Sequence, residues 1–134
     1  DDIVKVYEKI KNENLDLVKT YRIIRGDSLW RKFISRTYNL AFLVLFPGFK
    51  IKDVNSKPKI ITREKLSLLN LQQNDWFIDA EIMIQARRNK FKTGEVPTLF
   101  LGLDSKRRSF VKLPAIWEFI KNLIVYRFRE FKNK

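Results

Sequence analysis

The spacing of apolar residues changes repeatedly along this chain, from a helical period to a strand period and back. Ile3, Val4, Tyr7 and Ile10 recur at helical spacing among Glu and Lys, which predicts a helix over 2–14 ended by Asn12 and Asn14. Residues 15–24 alternate roughly and are β-branched, which predicts a strand. A turn at Gly26 follows, with Asp27 or Ser28 as the helix cap, and then a helix over 29–46. Its apolar stripe is Trp30, Phe33, Ile34, Tyr38, Ala41, Phe42 and Leu45, and Pro47 with Gly48 stops it. Downstream the pattern predicts a strand over 59–62, a short helix over 63–69, a helix over 78–89, an apolar strand over 96–103 and a terminal helix from Leu113. Strands alternate with helices throughout, so the predicted class is α/β with a partly parallel sheet.

Composition narrows the chemistry. With 134 residues the chain is one domain's length. It has neither cysteine nor histidine, which excludes disulfide scaffolds, thiol nucleophiles, cysteine zinc sites and any Ser-His-Asp triad. Carboxylates, lysines, arginines and hydroxyls remain. Lys and Arg number 28 against 15 Asp and Glu, a formal charge of +13, which favours an anionic partner: nucleic acid, a phosphate-bearing substrate or an anionic membrane surface. The longest apolar run, Leu40 to Phe46, is far short of the roughly 20 residues of a membrane span. The N-terminus has no signal-peptide pattern, and its lack of Met suggests a domain of a longer chain or a truncated gene.

Four groups of residues are candidates for function. Arg31 and Ser35, at i and i+4, share a helix face expected to lie opposite the apolar stripe. With Arg22 at the preceding strand's end they would suit a phosphate near a helix N-terminus, although from spacing alone solvated surface charge is the better explanation. Asp53 is the only acid between Asp27 and Glu64 and is set among lysines, so it is either a general base or a turn aspartate. Asp79 and Glu81 fall in a first helical turn, where acids complement the dipole; at i and i+2 they do not share a metal. Finally, Trp117, Ile120, Ile124, Phe128 and Phe131 follow 3-4-4-3 spacing, with Arg129 and Lys132 on the other side. Such a basic amphipathic helix suits a membrane interface and equally suits packing on its own domain.

In order, these pieces resemble glycosyltransferase family 2 in its polyprenyl-phosphate (dolichol-phosphate mannose synthase-like) branch. The pieces are Arg22 closing a strand, Arg31 through Ser35 to Tyr38 and Asn39 on a basic helix, and Asp53 leading to Pro58, Arg63 and Glu64. Then come Trp76, Phe77, Asp79, Glu81 and Ala86 on a helix, Glu95-Val96-Pro97 in a strand, and Ser109-Phe110-Val111 before the last helix.

The resemblance implies the C-terminal, acceptor-side half of a GT-A-type (Rossmann-like) domain over 1–112, followed by a juxtamembrane-type amphipathic helix over 113–134. It implies an inverting transferase of glycan biosynthesis that moves a sugar from a nucleotide-sugar to a polyprenyl phosphate. Arg22 and Arg31 would hold phosphate, Ser35 would contact the lipid phosphate, and Asp53 would act beside the acceptor as base or positioner, with Asp79 and Glu81 on the acceptor side. The family's loop arginine is missing near 103, and Arg107 or Arg108 would replace it. The family's Asp-x-Asp metal motif and nucleotide half precede the region seen here. No cofactor is therefore expected on this chain, Mg²⁺ or Mn²⁺ is expected of a complete enzyme, and the chain is expected to be inactive alone. Trp117, Phe128, Arg129 and Phe131 would meet an anionic membrane, at the inner face on the cytoplasmic side. The competing readings are a small basic nucleic-acid-binding module, for which no known motif is visible, and a degenerate fragment without activity.

Overall fold

The computed structural model describes residues 1–25, 29–75, 77–100 and 113–132. The described elements are α1 (Asp2–Asn12), β1 (Leu17–Arg25), α2 (Leu29–Leu45), β2 (Lys59–Ile61), α3 (Arg63–Leu66), α4 (Ile78–Arg88), β3 (Thr93–Phe100) and α5 (Leu113–Lys132). The class is α/β, with a small mixed sheet in the order β2-β1-β3. β1 pairs antiparallel with β2, Leu17 opposite Ile61 and Lys19 opposite Lys59. β3 enters beside the start of β1, where the Asp16 and Leu17 N–H groups donate to the Lys92 carbonyl, so these two strands run parallel.

The chain forms two compact units. One spans Asp1–Ile24 and Lys50–Phe100 and holds the sheet; the other takes in α2 and α5. α5 lies in the same unit as α2.

In the first unit, Asp1 caps α1 by accepting the Ile3 N–H at 3.0 Å. The helix ends before residue 14 because Asn14 turns left-handed, φ 49°, and the Leu15 N–H returns to the Ile10 carbonyl. Val6 and Ile10 pack with Val18 and Val96 as the core between helix and sheet. Gly94 makes that approach possible: a Cβ there would lie 2.6 Å from Leu15 Cδ1. β3 starts three residues before the expected Val96. Lys92 joins the ladder through its carbonyl and donates its N–H to Asp16 Oδ2 at 2.7 Å, so pairing begins ahead of the apolar run. Pro97 sits within β3, which is compatible with a strand at the sheet's flank.

In the second unit, α2 and α5 pack side by side. Phe42, Phe46 and Leu123 are fully buried. Tyr38 meets Phe119 edge-on at 4.3 Å, and the Arg127 guanidinium lies 5.8 Å from the Phe46 ring centre while pairing with Glu130 at 2.9 Å. The packed side of α2 corrects the expected face. Arg31, Ser35, Tyr38 and Phe42 succeed one another at 4-3-4 spacing, so Arg31 and Ser35 are half-buried along the packed side and not opposite it. Trp30 and Phe33, expected in the core stripe, are exposed and stack on each other at 6.1 Å.

Candidate functional site

The chain from Ile51 to Ser56 has no regular secondary structure, yet Ile51, Asp53, Val54 and Ser56 are buried. Buried irregular backbone needs partners for its polar groups. Lys19 and Thr20 of β1 provide some of them, and the next two residues, Tyr21 and Arg22, meet side chains of the same stretch. Lys19 Nζ donates to the Asp53 carbonyl. Thr20 Oγ1 bonds Ser56 Oγ at 2.8 Å and donates to the Lys57 carbonyl at 2.7 Å, and its N–H donates to the Pro58 carbonyl. The Lys52 ammonium stands 4.1 Å from the Tyr21 ring centre. Arg22 donates through Nε and Nη2 to the two Asp53 carboxylate oxygens, at 2.5 and 2.9 Å.

The structure thus joins Arg22 and Asp53, 31 residues apart, as a two-pronged pair that is 18% and 7% exposed at the side chains. A carboxylate so held is a better orienting group than a free proton acceptor, because its oxygens already accept from a cation.

A second ion pair lies beside it, buried at its lysine end. Lys19, 1% exposed, is 2.8 Å from Glu95 Oε1 on β3, and both Glu95 oxygens accept the Lys52 N–H at 3.1 and 3.2 Å. Burial pushes the Lys19 ammonium below its ordinary value of 10.5, while Glu95 and Asp53 pull it back up. Lys19 and Glu95 also line a cavity of about 90 Å³ with Lys50, Ile51, Met83, Thr93 and Gly94.

Asp79 and Glu81 are buried at the start of α4 and act as anchors. Asp79 pairs with Lys59 of β2 at 2.5 Å and with Lys57 at 3.5 Å. Burial lowers the Lys59 ammonium, with Asp79 opposing. Glu81 accepts the N–H groups of Gln72 and Gln73, fixing the loop before α4. Beyond any effect on the helix dipole, then, both acids tie neighbouring segments to α4.

Arg31 and Ser35 belong to the second unit. Asp27, Ser28, Arg107 and Arg108 lie outside the described residues. Lys19, Thr20, Lys59 and Glu95 were missing from the expected site. The available signal was a lysine inside the apolar stretch Leu17-Val18-Lys19-Thr20.

On α5, the packed side runs through Phe119, Leu123 and Arg127. The stripe expected at an interface remains largely outside it: Trp117 is 71% exposed, Phe128 69% and Phe131 60%, and Arg129 and Lys132 are exposed too. α2 adds an apolar outer side of Leu29, Trp30, Phe33, Leu40 and Val44. No described helix is long and apolar enough to cross a membrane.

Comparison of the chain with family models, with curated proteins and with solved structures found no match in any of the three. What the fold and its buried polar network define is an α/β protein with a mixed three-stranded sheet, whose central strand carries a lysine and an arginine into ionic contacts.

Proposed function

We propose that the chain is the acceptor-side part of a family 2, GT-A-type glycosyltransferase, in which a sugar passes from a nucleotide-sugar to a polyprenyl phosphate. The observation that carries this reading is the meeting of Arg22 and Asp53, two residues singled out by the resemblance and distant in sequence, at one buried spot. In the reaction a phosphate oxygen of the lipid attacks the anomeric carbon, a new C–O bond forms, and the bond to the nucleoside diphosphate breaks with inversion. A lipid phosphate is already ionised, so no strong base is needed. Asp53 then orients Arg22, whose guanidinium offers positive charge toward the acceptor.

The carboxylates of this region do not fit a divalent cation, because each is engaged. Asp53 holds Arg22, Asp79 holds Lys59, Glu81 holds two amides, and Glu95 holds Lys19. Mg²⁺ or Mn²⁺ is assigned to the nucleotide-binding part of a complete enzyme, and no step here runs through it. By itself the chain is expected to release no nucleoside diphosphate from a nucleotide-sugar.

The exposed apolar sides of α2 and α5, edged by Lys32, Arg36, Lys121, Arg129 and Lys132, support a peripheral position on an anionic membrane at its cytoplasmic face, where a lipid phosphate is presented. The test is titration of farnesyl phosphate with the chain, followed by phosphorus NMR. Binding that farnesol and inorganic phosphate do not match, and that Arg22→Ala weakens about tenfold or more, is expected from loss of a charged hydrogen bond. No binding of farnesyl phosphate, with tight binding of a short RNA instead, would replace this reading by the nucleic-acid one.

A further inference from the structure

We propose that Lys19 and Glu95 are positioning residues, an ion pair that clamps the main chain at Lys52 and Asp53 and thereby sets the Asp53 carboxylate against Arg22. The inference rests on the acceptor-site reading only for what the Arg22–Asp53 pair is aimed at; the clamp itself stands on geometry.

Glu95 takes the N–H of Lys52 with both oxygens, and Lys19 gives a hydrogen bond to the carbonyl of Asp53. The two side chains that grip these neighbouring backbone groups are joined to each other at 2.8 Å. They come from adjacent strands: Asp16 and Lys92 are 76 residues apart where β1 and β3 begin to pair, and Lys19 and Glu95 keep the same offset. The sheet register therefore fixes the clamp, and the clamp fixes the loop.

A buried lysine is costly to desolvate, and a leucine or methionine of similar reach would fill the space without that cost. What such a residue could not do is bond a carbonyl in a segment that has no ladder of its own. Lys19 has a second bond to a backbone oxygen, the Thr20 carbonyl of its own strand, at 3.2 Å. Its ammonium is thus saturated by Glu95 and two backbone oxygens. Arg22 grips both oxygens of the Asp53 carboxylate, so a shift of the main chain at residue 53 is felt at that pair. The cavity of about 90 Å³ beside Lys19 and Glu95 leaves room for such a shift once the clamp is cut.

The experiment uses the 134-residue chain, labelled with nitrogen-15, and follows hydrogen exchange at the Arg22 Nε–H, assigned by its loss in Arg22→Lys. The main variant is Lys19→Met with Glu95→Gln, which removes both charges together and keeps an oxygen for the Lys52 N–H. The control is Asp16→Asn, which loosens the other end of the β1–β3 pairing. The double variant is expected to stay folded, by its dispersed amide spectrum, while Arg22 Nε–H exchange quickens about tenfold or more, as for loss of one hydrogen bond to a charged group. The control is expected to leave that exchange unchanged.

Unchanged exchange in the folded double variant would overturn the proposal, as would equal quickening in Asp16→Asn. If the double variant does not fold, Glu95→Gln alone decides: quickened Arg22 exchange supports the clamp and wild-type exchange overturns it. Farnesyl phosphate added to the same samples separates the two proposals. Failure of wild type to bind it removes the acceptor reading and leaves the exchange result standing. Binding by wild type that the double variant loses about tenfold joins the two.

Discussion

The two units of this chain place charge in opposite ways. The sheet unit takes Lys19, Asp53, Asp79 and Glu81 inside and gives each an ionic or backbone partner. The α2/α5 unit buries Phe42, Phe46 and Leu123, and leaves tryptophan, phenylalanine and leucine side chains on its surface among lysines and arginines. Buried charge constrains geometry, because each group must meet a particular partner at a particular distance. Exposed apolar surface is not specific in that sense. The buried charges of the first unit thus fix atoms in place, and the outer sides of the second offer apolar contact.

The sharpest way to break that contrast is in the helical unit. Phe42→Ala is expected to destabilise it by about 3–5 kcal/mol, the usual cost of removing a buried phenyl ring. Phe33→Ala, on the exposed side of the same helix, is expected to change stability by no more than about 0.5 kcal/mol. Urea unfolding followed by circular dichroism checks both, and similar losses would show that the outer side of α2 is packed.

In the sheet unit, Lys19→Met alone is expected to cost about 3 kcal/mol, because it strands Glu95 without its cation. Adding Glu95→Gln is expected to restore most of that loss. A double-mutant cycle by urea unfolding measures the coupling, and additive losses would mean the pair does not act as one.

At the surface, Arg129→Gln with Lys132→Gln is expected to weaken binding to phosphatidylserine-containing vesicles by about 2 kcal/mol, roughly 1 kcal/mol for each basic residue. Trp117 fluorescence reports it in a Trp30→Phe, Trp76→Phe background, and the blue shift should fade as salt rises. Equal shifts with neutral vesicles would remove the basic residues from the interaction.

The smallest effect is on pH dependence. Burial lowers the folded-state values of Lys19 and Lys59 below 10.5. Well below those folded values both states carry the proton, and the desolvation cost is fully present. Between the folded value and 10.5 the unfolded chain holds a proton that the folded chain has released, so stability rises with pH, by less than about 1.4 kcal/mol per unit for each lysine. Wild type is therefore expected to gain on the Lys19→Met, Glu95→Gln variant as urea unfolding is repeated from neutral pH toward 10.5. A constant difference would remove Lys19 from the titration.

The elements that carry this contrast could be read in advance, and the unread parts share one cause. The order and type of the elements follow from local period and from turn residues, which neighbours in sequence determine. The face of α2 does not. Leu29, Trp30 and Phe33 stand on one side, and Tyr38, Phe42 and Phe46 on another, so the helix is apolar nearly all round and its period cannot choose. Arg22 and Asp53 could each be named as functional but not as partners, since only the fold of 51–58 back onto β1 brings them together. Lys19 and Glu95 were harder still, because their meeting depends on the register of two strands far apart in sequence.

The flanks of the sheet carry a consequence for concentrated solutions of this protein. β2 has only three residues, and β3 has Pro97 in its interior. A strand from another molecule laid along β2 would find few bonds before the ladder ended. Along β3 it would meet a residue with no N–H to give. Short flanks and interrupting prolines make a sheet a poor template for end-on growth into fibrils. Pro97→Val would supply the absent donor and lengthen the β-branched run, turning that flank toward amyloid-type addition.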